Sequence, residues 1–146
     1  MMKMIDPVAR KEMINDALNS FPDECCGFFI GREDGEDRFI TDIIIVDNAK
    51  DGDKKRRFEI SPLDYIKAEQ FADGQHHKLL GVYHSHPNHP AVPSEQDRVA
   101  AQPYFSYIII SVTENQFHNI RSWRLNDESN FVEEKIIDQS LINQNK

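Results

Sequence analysis

The chain has 146 residues, of which 39% are hydrophobic and 29% charged, and its formal net charge is −8. This length suits one domain, and this composition is typical of a globular protein, not a disordered one. The acidic balance argues against a non-specific nucleic-acid binder, which usually has a basic face, and against attachment to an anionic membrane. We therefore expect a single domain over residues 1–146 with no nucleic-acid or membrane partner.

The cysteines and the N-terminal residues indicate the cellular compartment of the protein. The two cysteines, Cys25 and Cys26, are adjacent. Adjacent cysteines rarely reach the geometry of a mutual disulfide, so a reducing compartment is favoured. The N-terminal residues lack the apolar core of a signal peptide, and no apolar run approaches the roughly 20 residues that span a bilayer. We expect a cytoplasmic protein, with the two thiols either packed in the core or, for one of them, near a functional pocket.

The first third of the chain predicts a helix and two strands. Asp6-Pro7 is typical of an N-cap and a first helical position, and the helix should end at Phe21-Pro22. A glycine-bounded apolar run at 25–31 and an isoleucine-rich run at 39–46 indicate strands, joined by a charged turn at 32–37.

The middle of the chain predicts an exposed loop followed by a second helix. Residues 47–57 are the most polar stretch, and the basic run 54–57 within it is either simply solvated or docks an acidic partner. Residues 58–60 predict a short strand. Ser61-Pro62 is typical of a helix start, and that helix should reach about Ala72.

The last part of the chain predicts strands around one short helix. The strands should cover residues 79–84, 106–112 and 118–125, and the helix Ser94 to Ala101. Residues 131–137 are either a weaker strand or a helix, and residues 139–146 are expected to form a disordered tail. Together these elements predict an α/β (α+β) fold, a mixed β-sheet flanked by helices.

A possible metal site lies where the strand at 79–84 ends. Residues two apart on a strand face the same side, so His84 and His86 can reach one ion. Asp97 follows in the short helix, and imidazole and carboxylate groups are common zinc ligands. A turn stiffened by three prolines separates the histidines from the aspartate: Pro87, Pro90 and Pro93. Three nitrogen and oxygen ligands favour an open catalytic site over a closed structural one.

The longer pattern resembles a known family. His84-Ser85-His86-Pro87 followed by Ser94-x-x-Asp97 is similar to the signature of the JAMM (MPN-type) metalloproteases, of the kind found as compact prokaryotic members. Residues 22–31 resemble the family's early strand, in which a glutamate precedes Cys-Gly. Residues 104–112 resemble the strand after the signature. The likeness extends from the first helix to about residue 125.

This resemblance implies roles for individual residues. His84, His86 and Asp97 would bind one Zn²⁺ per chain, Glu24 would be the general acid/base, and Ser94 would help to stabilise the oxyanion. Two further residues, His89 and Ser85, are weaker candidates for substrate contact. The implied fold is similar to the MPN and cytidine-deaminase-like folds.

The same resemblance implies a zinc peptidase or isopeptidase that cleaves the amide bond after the C-terminal Gly-Gly of a ubiquitin-like or sulfur-carrier protein, or of its cysteine adduct. The enzyme would be a monomer or a homodimer. Three alternatives remain: a non-catalytic MPN-type interaction module, a zinc hydrolase of small amides, and a deaminase-like enzyme. The last normally requires a Cys-x-x-Cys pair, which the sequence lacks.

Overall fold

The computed structural model describes residues 2–138. The strands are β1 (Met2–Ile5), β2 (Cys26–Asp34), β3 (Asp37–Val46), β4 (Lys78–Pro87), β5 (Ser106–Thr113), β6 (Gln116–Leu125) and β7 (Phe131–Asp138). The helices are α1 (Pro7–Ser20), α2 (Pro62–Gly74) and α3 (Glu95–Ala100). In the part of the chain described here, none of these helices is long and apolar enough to cross a membrane.

The strands form one closed barrel in the order β1-β3-β2-β4-β5-β6-β7. β1 pairs in parallel with both β3 and β7, and β4 pairs in parallel with β5, whereas the other neighbours are antiparallel. The predicted mixed α+β class is therefore confirmed, but the sheet closes on itself instead of remaining open. The likeness to the cytidine-deaminase-like fold stays a prediction.

The core lies on the two faces of the central strands. On one face, α1 packs Ala9, Met13 and Ala17 against a cluster that includes Phe29 of β2 and Tyr83 of β4. On the other face, α2 contributes Ala68 and Ala72 to a second cluster. β2 and β4 are apolar along most of their length, as expected for strands that are covered on both faces. This packing holds the side chains of the two strands in fixed positions.

A close approach of two backbones fixes β4 against β5. A Cβ atom at Gly81 would lie 1.9 Å from the carbonyl oxygen of Ser106, so only glycine fits this position. The resulting register continues to the end of β4, where His84 pairs with Ile109 and His86 with Ser111.

Several predicted boundaries changed. β1 was not predicted, β4 continues to Pro87, and 131–137 belongs to a strand, β7. The short strand predicted at 58–60 is wrong. Within residues 2–138 this segment pairs with no strand, and the Glu59 N–H donates to the side chain of Asn48. The predicted tail, 139–146, lies outside the described residues.

Candidate active site

Strand β4 carries both histidines of the predicted site. His84 and His86 are two residues apart, so the alternation of the strand turns them to the same side. Their side chains are 1% and 8% exposed. The Nε2 atoms of the two rings are 3.2 Å apart. The spacing argument made from the sequence therefore agrees with the structure.

Asp97 reaches the same point from helix α3. Ser94 is the N-cap of this helix, and its hydroxyl accepts a hydrogen bond from the Asp97 N–H at 3.1 Å. In return the Asp97 Oδ2 atom accepts from the Ser94 N–H at 2.9 Å. The same Oδ2 lies 3.1 Å from Nε2 of His86 and 3.3 Å from Nε2 of His84. The capping box thus aims the carboxylate at both histidines.

These three atoms have the spacing of a zinc ligand set. Tetrahedral zinc with bonds of about 2.0–2.1 Å has ligand atoms about 3.3 Å apart, and His84, His86 and Asp97 present separations of 3.1–3.3 Å. Two imidazoles and a carboxylate are also the ligand types that zinc accepts in catalytic sites. The residues fit the predicted metal.

The surroundings prepare the histidines for ligation. His86 Nδ1 lies 2.9 Å from the Pro90 carbonyl oxygen, and such a contact requires Nδ1 to carry the proton and leaves the Nε2 lone pair free. The His84 ring stacks on Phe58 with centroids 4.5 Å apart. Its Nδ1 atom is buried and has no hydrogen-bond partner within residues 2–138.

The electrostatics of His84 and Asp97 favour ligation. Burial lowers the pKa of His84, which favours the neutral ring that a metal requires. Burial also acts to lower the pKa of His86, but hydrogen bonds with Asp97 and Pro90 raise it overall. Burial alone would raise the pKa of Asp97, yet His84, His86 and the Ser94 N–H together hold it well below its usual range. The carboxylate is therefore ionised.

Glu24 is the fourth polar group at this point. It precedes β2 and is 4% exposed. One of its carboxylate oxygens and one ring nitrogen each of His84 and His86 lie within 4.8 Å of one another. Its Oε1 atom has no hydrogen-bond partner in the described part of the chain. Burial raises the pKa of Glu24 to about 8, despite the opposing effect of His86. A buried carboxyl group with a free oxygen and a pKa near neutrality is suited to proton transfer.

The main chain of Glu24 is tied to the loop of residues 47–60. Its N–H donates to the Lys54 carbonyl at 2.7 Å, and its carbonyl accepts from the Asn48 side chain at 3.1 Å. The same Asn48 side chain also bonds the backbone of Lys50, Arg57 and Glu59, and thereby holds the loop in shape. Sequence reasoning did not identify Asn48, because a single polar residue in a polar loop carries no periodic signal.

The two weaker site candidates differ in their exposure to solvent. His89 is exposed and lines a cleft of about 450 Å³ together with Glu24, His86 and Ser94. Ser85 is fully buried, and its Oγ accepts from the Cys25 N–H at 2.8 Å. This burial does not fit the substrate contact predicted for Ser85. The hydroxyl instead ties β4 to the residue that follows Glu24.

The two cysteines pack in the core. Cys25 belongs to the cluster under α1 and Cys26 to the cluster under α2, as expected for neighbours on opposite faces of a strand. Burial raises the pKa of Cys26 to about 12 and that of Cys25 well above its ordinary value. Both thiols are therefore protonated, which suits packing and not metal binding.

A second cleft, of about 350 Å³, is lined by His84 and Asp97. The rest of its lining combines apolar side chains with polar and charged ones, among them Arg56 and Arg57. Phe58, Tyr65, Val82 and Tyr107 form much of this lining. Two clefts therefore border the predicted ligands: Glu24 and His86 line the first, and His84 and Asp97 line the second.

Comparison with known proteins identifies the family. Residues 7–126 match the family described as prokaryotic homologs of the JAB domain. The chain belongs to this family. Among the relatives of this JAB-domain protein is the CysO-cysteine peptidase of Mycobacterium tuberculosis, 30% identical over 116 residues that cover 79% of this chain and 77% of the relative. The Desampylase of Pyrococcus furiosus is 25% identical over 136 residues, or 92% and 89% of the two chains.

Solved structures agree with this assignment. A protein of Desulfitobacterium hafniense matches 95% of this chain and 93% of its own with a TM-score of 0.82 and 30% identity. A JAB1/MPN domain protein from Archaeoglobus fulgidus matches 93% and 99% of the two chains with a TM-score of 0.55 and 19% identity. The second likeness concerns the fold alone. The predicted family is confirmed.

Proposed function

We propose that this JAB-domain protein is a zinc-dependent peptidase that hydrolyses the amide bond after the C-terminal Gly-Gly of a ubiquitin-like or sulfur-carrier protein. One observation carries the proposal. The ligand atoms of His84, His86 and Asp97 lie 3.1–3.3 Å apart beside the buried Glu24 carboxyl group, whose Oε1 has no partner within residues 2–138. The pattern supports one Zn²⁺ per chain.

Each residue of the site has a distinct task in this hydrolysis. Zinc, when bound by the three ligands, would supply Lewis acidity and lower the pKa of a coordinated water from 15.7 to about 7. Glu24 accepts a proton from the attacking water and passes it to the leaving amine nitrogen. The Ser94 hydroxyl uses a lone pair to accept the Asp97 N–H, so its own proton remains free for the developing oxyanion.

The state of Glu24 argues against the non-catalytic alternative. A buried carboxyl oxygen without a hydrogen-bond partner, such as Oε1 of Glu24 within residues 2–138, costs folding free energy. A pure interaction module would gain stability by replacing it, whereas a hydrolase needs a base there. A deaminase-like site is disfavoured because both thiols are buried and their pKa values are raised, so neither is a ready thiolate ligand.

The relatives support the proposed substrate class. The name CysO-cysteine peptidase describes a peptidase acting on a carrier–cysteine conjugate, and this relative and the Desampylase cover most of the chain. Their names support a protein substrate with a ubiquitin-like tail over a small amide. Cytoplasmic location, a monomeric or homodimeric state and the absence of nucleic-acid or membrane partners stay predictions.

Cleavage and metal content, measured on the same samples, test the proposal. The substrate is a ubiquitin-like carrier protein with one residue fused after its Gly-Gly terminus, and mass spectrometry follows release. Wild type should contain one zinc and cleave, and a chelator should stop cleavage until zinc is restored. Glu24→Gln should retain zinc and lose at least about 100-fold in kcat. His84→Ala should lose zinc. Ser94→Ala should lose less activity than Glu24→Gln.

Glu69→Gln, at an exposed position on α2, is the matched control and should behave as wild type. The proposal is overturned if the zinc-loaded Glu24→Gln variant cleaves at the wild-type rate. If Glu24→Gln instead loses zinc, Glu24 is a metal ligand and the assignment of the base is wrong.

A further inference from the structure

Arg56 borders both clefts of the candidate active site. It lines the cleft that contains His84 and Asp97, and it also lines the cleft that contains Glu24, His86 and Ser94. It lies in the basic run 54–57 of a chain whose net charge is −8, so the positive charge is a local exception. A cation at the junction of two active-site clefts is well placed to contact substrate.

The loop that carries Arg56 is anchored at the site. Lys54, two residues earlier, accepts the Glu24 N–H through its carbonyl at 2.7 Å. Arg57, the next residue, accepts from the Asn48 side chain at 3.0 Å. Hydrogen bonds on both sides of Arg56 therefore fix its backbone relative to Glu24.

The guanidinium group of Arg56 is available to a ligand. Its side chain is 80% exposed, and its ion pair with Asp53 is long, at 3.9 Å. An exposed pair of this length contributes little, so a carboxylate in the cleft can replace it. Guanidinium binds carboxylates through paired N–H donors, which fixes both the position and the orientation of the ligand.

The chemistry of the reaction assigns the cleft lined by Glu24 to the leaving group. Glu24 must hand its proton to the leaving amine, so this amine has to lie within hydrogen-bond reach of the Glu24 carboxyl group. That carboxyl group lines the cleft of about 450 Å³, which also holds His89, Pro90 and Val92. The Gly-Gly tail then occupies the other cleft, past His84 and Asp97.

We propose that Arg56 is a specificity-determining residue that binds the α-carboxylate of the amino acid released from the carrier. His89, exposed on the same cleft, offers a second N–H donor. This inference rests on the proposed function and deepens it. The substrate would be a carrier joined through its Gly-Gly end to the amino group of a single α-amino acid, and not to the side chain of a protein lysine, which presents no carboxylate near the scissile bond.

The test uses three fusions of one ubiquitin-like carrier. In the first, alanine with a free carboxylate follows Gly-Gly. In the second, the alanine is a carboxamide. In the third, Gly-Gly is joined to the ε-amino group of a peptide lysine. Wild type should cleave the carboxylate form at least about tenfold more efficiently, as kcat/KM, than the carboxamide form, as expected for a charge-assisted contact. Arg56→Gln should abolish this preference by lowering kcat/KM for the carboxylate form to about the value for the carboxamide form.

Two neighbours provide matched controls. Lys55 is exposed and borders neither cleft, and Arg57 borders the cleft assigned to the tail but not the cleft assigned to the leaving group. Lys55→Gln and Arg57→Gln should keep the preference for the carboxylate. If either control loses the preference for the carboxylate as Arg56→Gln does, the preference comes from the overall charge of the loop and the proposal is overturned. It is likewise overturned if wild type shows no preference.

A binding measurement separates this proposal from the proposed function. The Kd of the Glu24→Gln variant for the uncleaved carboxylate and carboxamide fusions is measured by calorimetry, with and without the second change Arg56→Gln. A tighter Kd for the carboxylate that disappears with Arg56→Gln supports the proposal, and equal values overturn it. Failure of wild type to cleave any fusion would refute the peptidase function, while the ratio of Kd values would still decide the role of Arg56.

Discussion

Asn48→Ala should loosen the 47–60 loop and the backbone of Glu24 together. The Asn48 side chain donates to the carbonyls of Glu24 and Arg57 and accepts from the N–H groups of Lys50 and Glu59, at 3.0–3.1 Å. The bonds to Glu24 and Lys50 are partly buried, and the other two are exposed. Counting about 1 kcal/mol for a partly buried bond and less for an exposed one, the loop should lose about 2 kcal/mol.

Hydrogen exchange followed by mass spectrometry measures this loss locally. A loss of about 2 kcal/mol corresponds to exchange about 30-fold faster. The faster exchange should be confined to peptides that cover residues 47–60 and the segment around Glu24. Zinc content should remain that of wild type, while kcat for the carrier fusion falls because the base is less well held. Asn48→Asp should be at least as harmful, since its carboxylate faces the carbonyls of Glu24 and Arg57 without a donor.

Asn19→Ala is the control, because Asn19 is exposed on α1 and distant in sequence from the loop. Its exchange and kcat should match wild type. Unchanged exchange at 47–60 in Asn48→Ala would refute the reasoning, and so would an equal acceleration across the whole chain. The first result would mean that other contacts hold the loop, and the second that the change acts on global stability.

Two further predictions concern stability. In metal-free protein, Glu24→Gln should raise the free energy of unfolding by about 4 kcal/mol at pH 8, with no gain near pH 4. The reason is that burial raises the pKa of Glu24 from 4.5 to about 8, so wild type loses stability as the pH rises between these values. Urea titrations across this pH range measure the gain. A gain that does not change with pH would contradict the argument. Gly81→Ala should cost more than about 3 kcal/mol, because its Cβ would lie 1.9 Å from the Ser106 carbonyl oxygen. Gly74→Ala, which meets open space, is its control in a thermal melt and should unfold near the wild-type temperature.

The part of the site that sequence could predict is the part with regular spacing. His84 and His86 follow the two-residue period of a strand, and Asp97 follows a recognisable N-cap. Glu24 lies about sixty residues earlier and reaches the site only through the pairing of β2 with β4, so no local pattern marks it. Only the family resemblance indicated it.

The barrel closure was missed because β1 breaks the usual rules for a buried strand. Its Lys3 is fully buried and pairs with Glu134 of β7 at 3.2 Å. Burial lowers the pKa of Lys3 to about 7, even though Glu134 opposes this shift. A charged residue in a four-residue segment predicts an exposed end of the chain, and the partner that compensates it lies 131 positions away. Only the tertiary structure brings the two together.

The predicted metal ligands and the residue proposed to select the substrate lie in different parts of the fold. The ligands His84 and His86 lie on a strand covered on both faces, where packing fixes their geometry. Arg56 lies on an exposed loop held by the Asn48 side chain and by main-chain hydrogen bonds, among them the one from Glu24 N–H to the Lys54 carbonyl. A substitution of Arg56 can therefore change which leaving group is accepted without moving the ligand set. On this reasoning, Arg56→Gln should alter kcat/KM between leaving groups and leave zinc content unchanged, whereas no change in the loop should restore activity to His84→Ala.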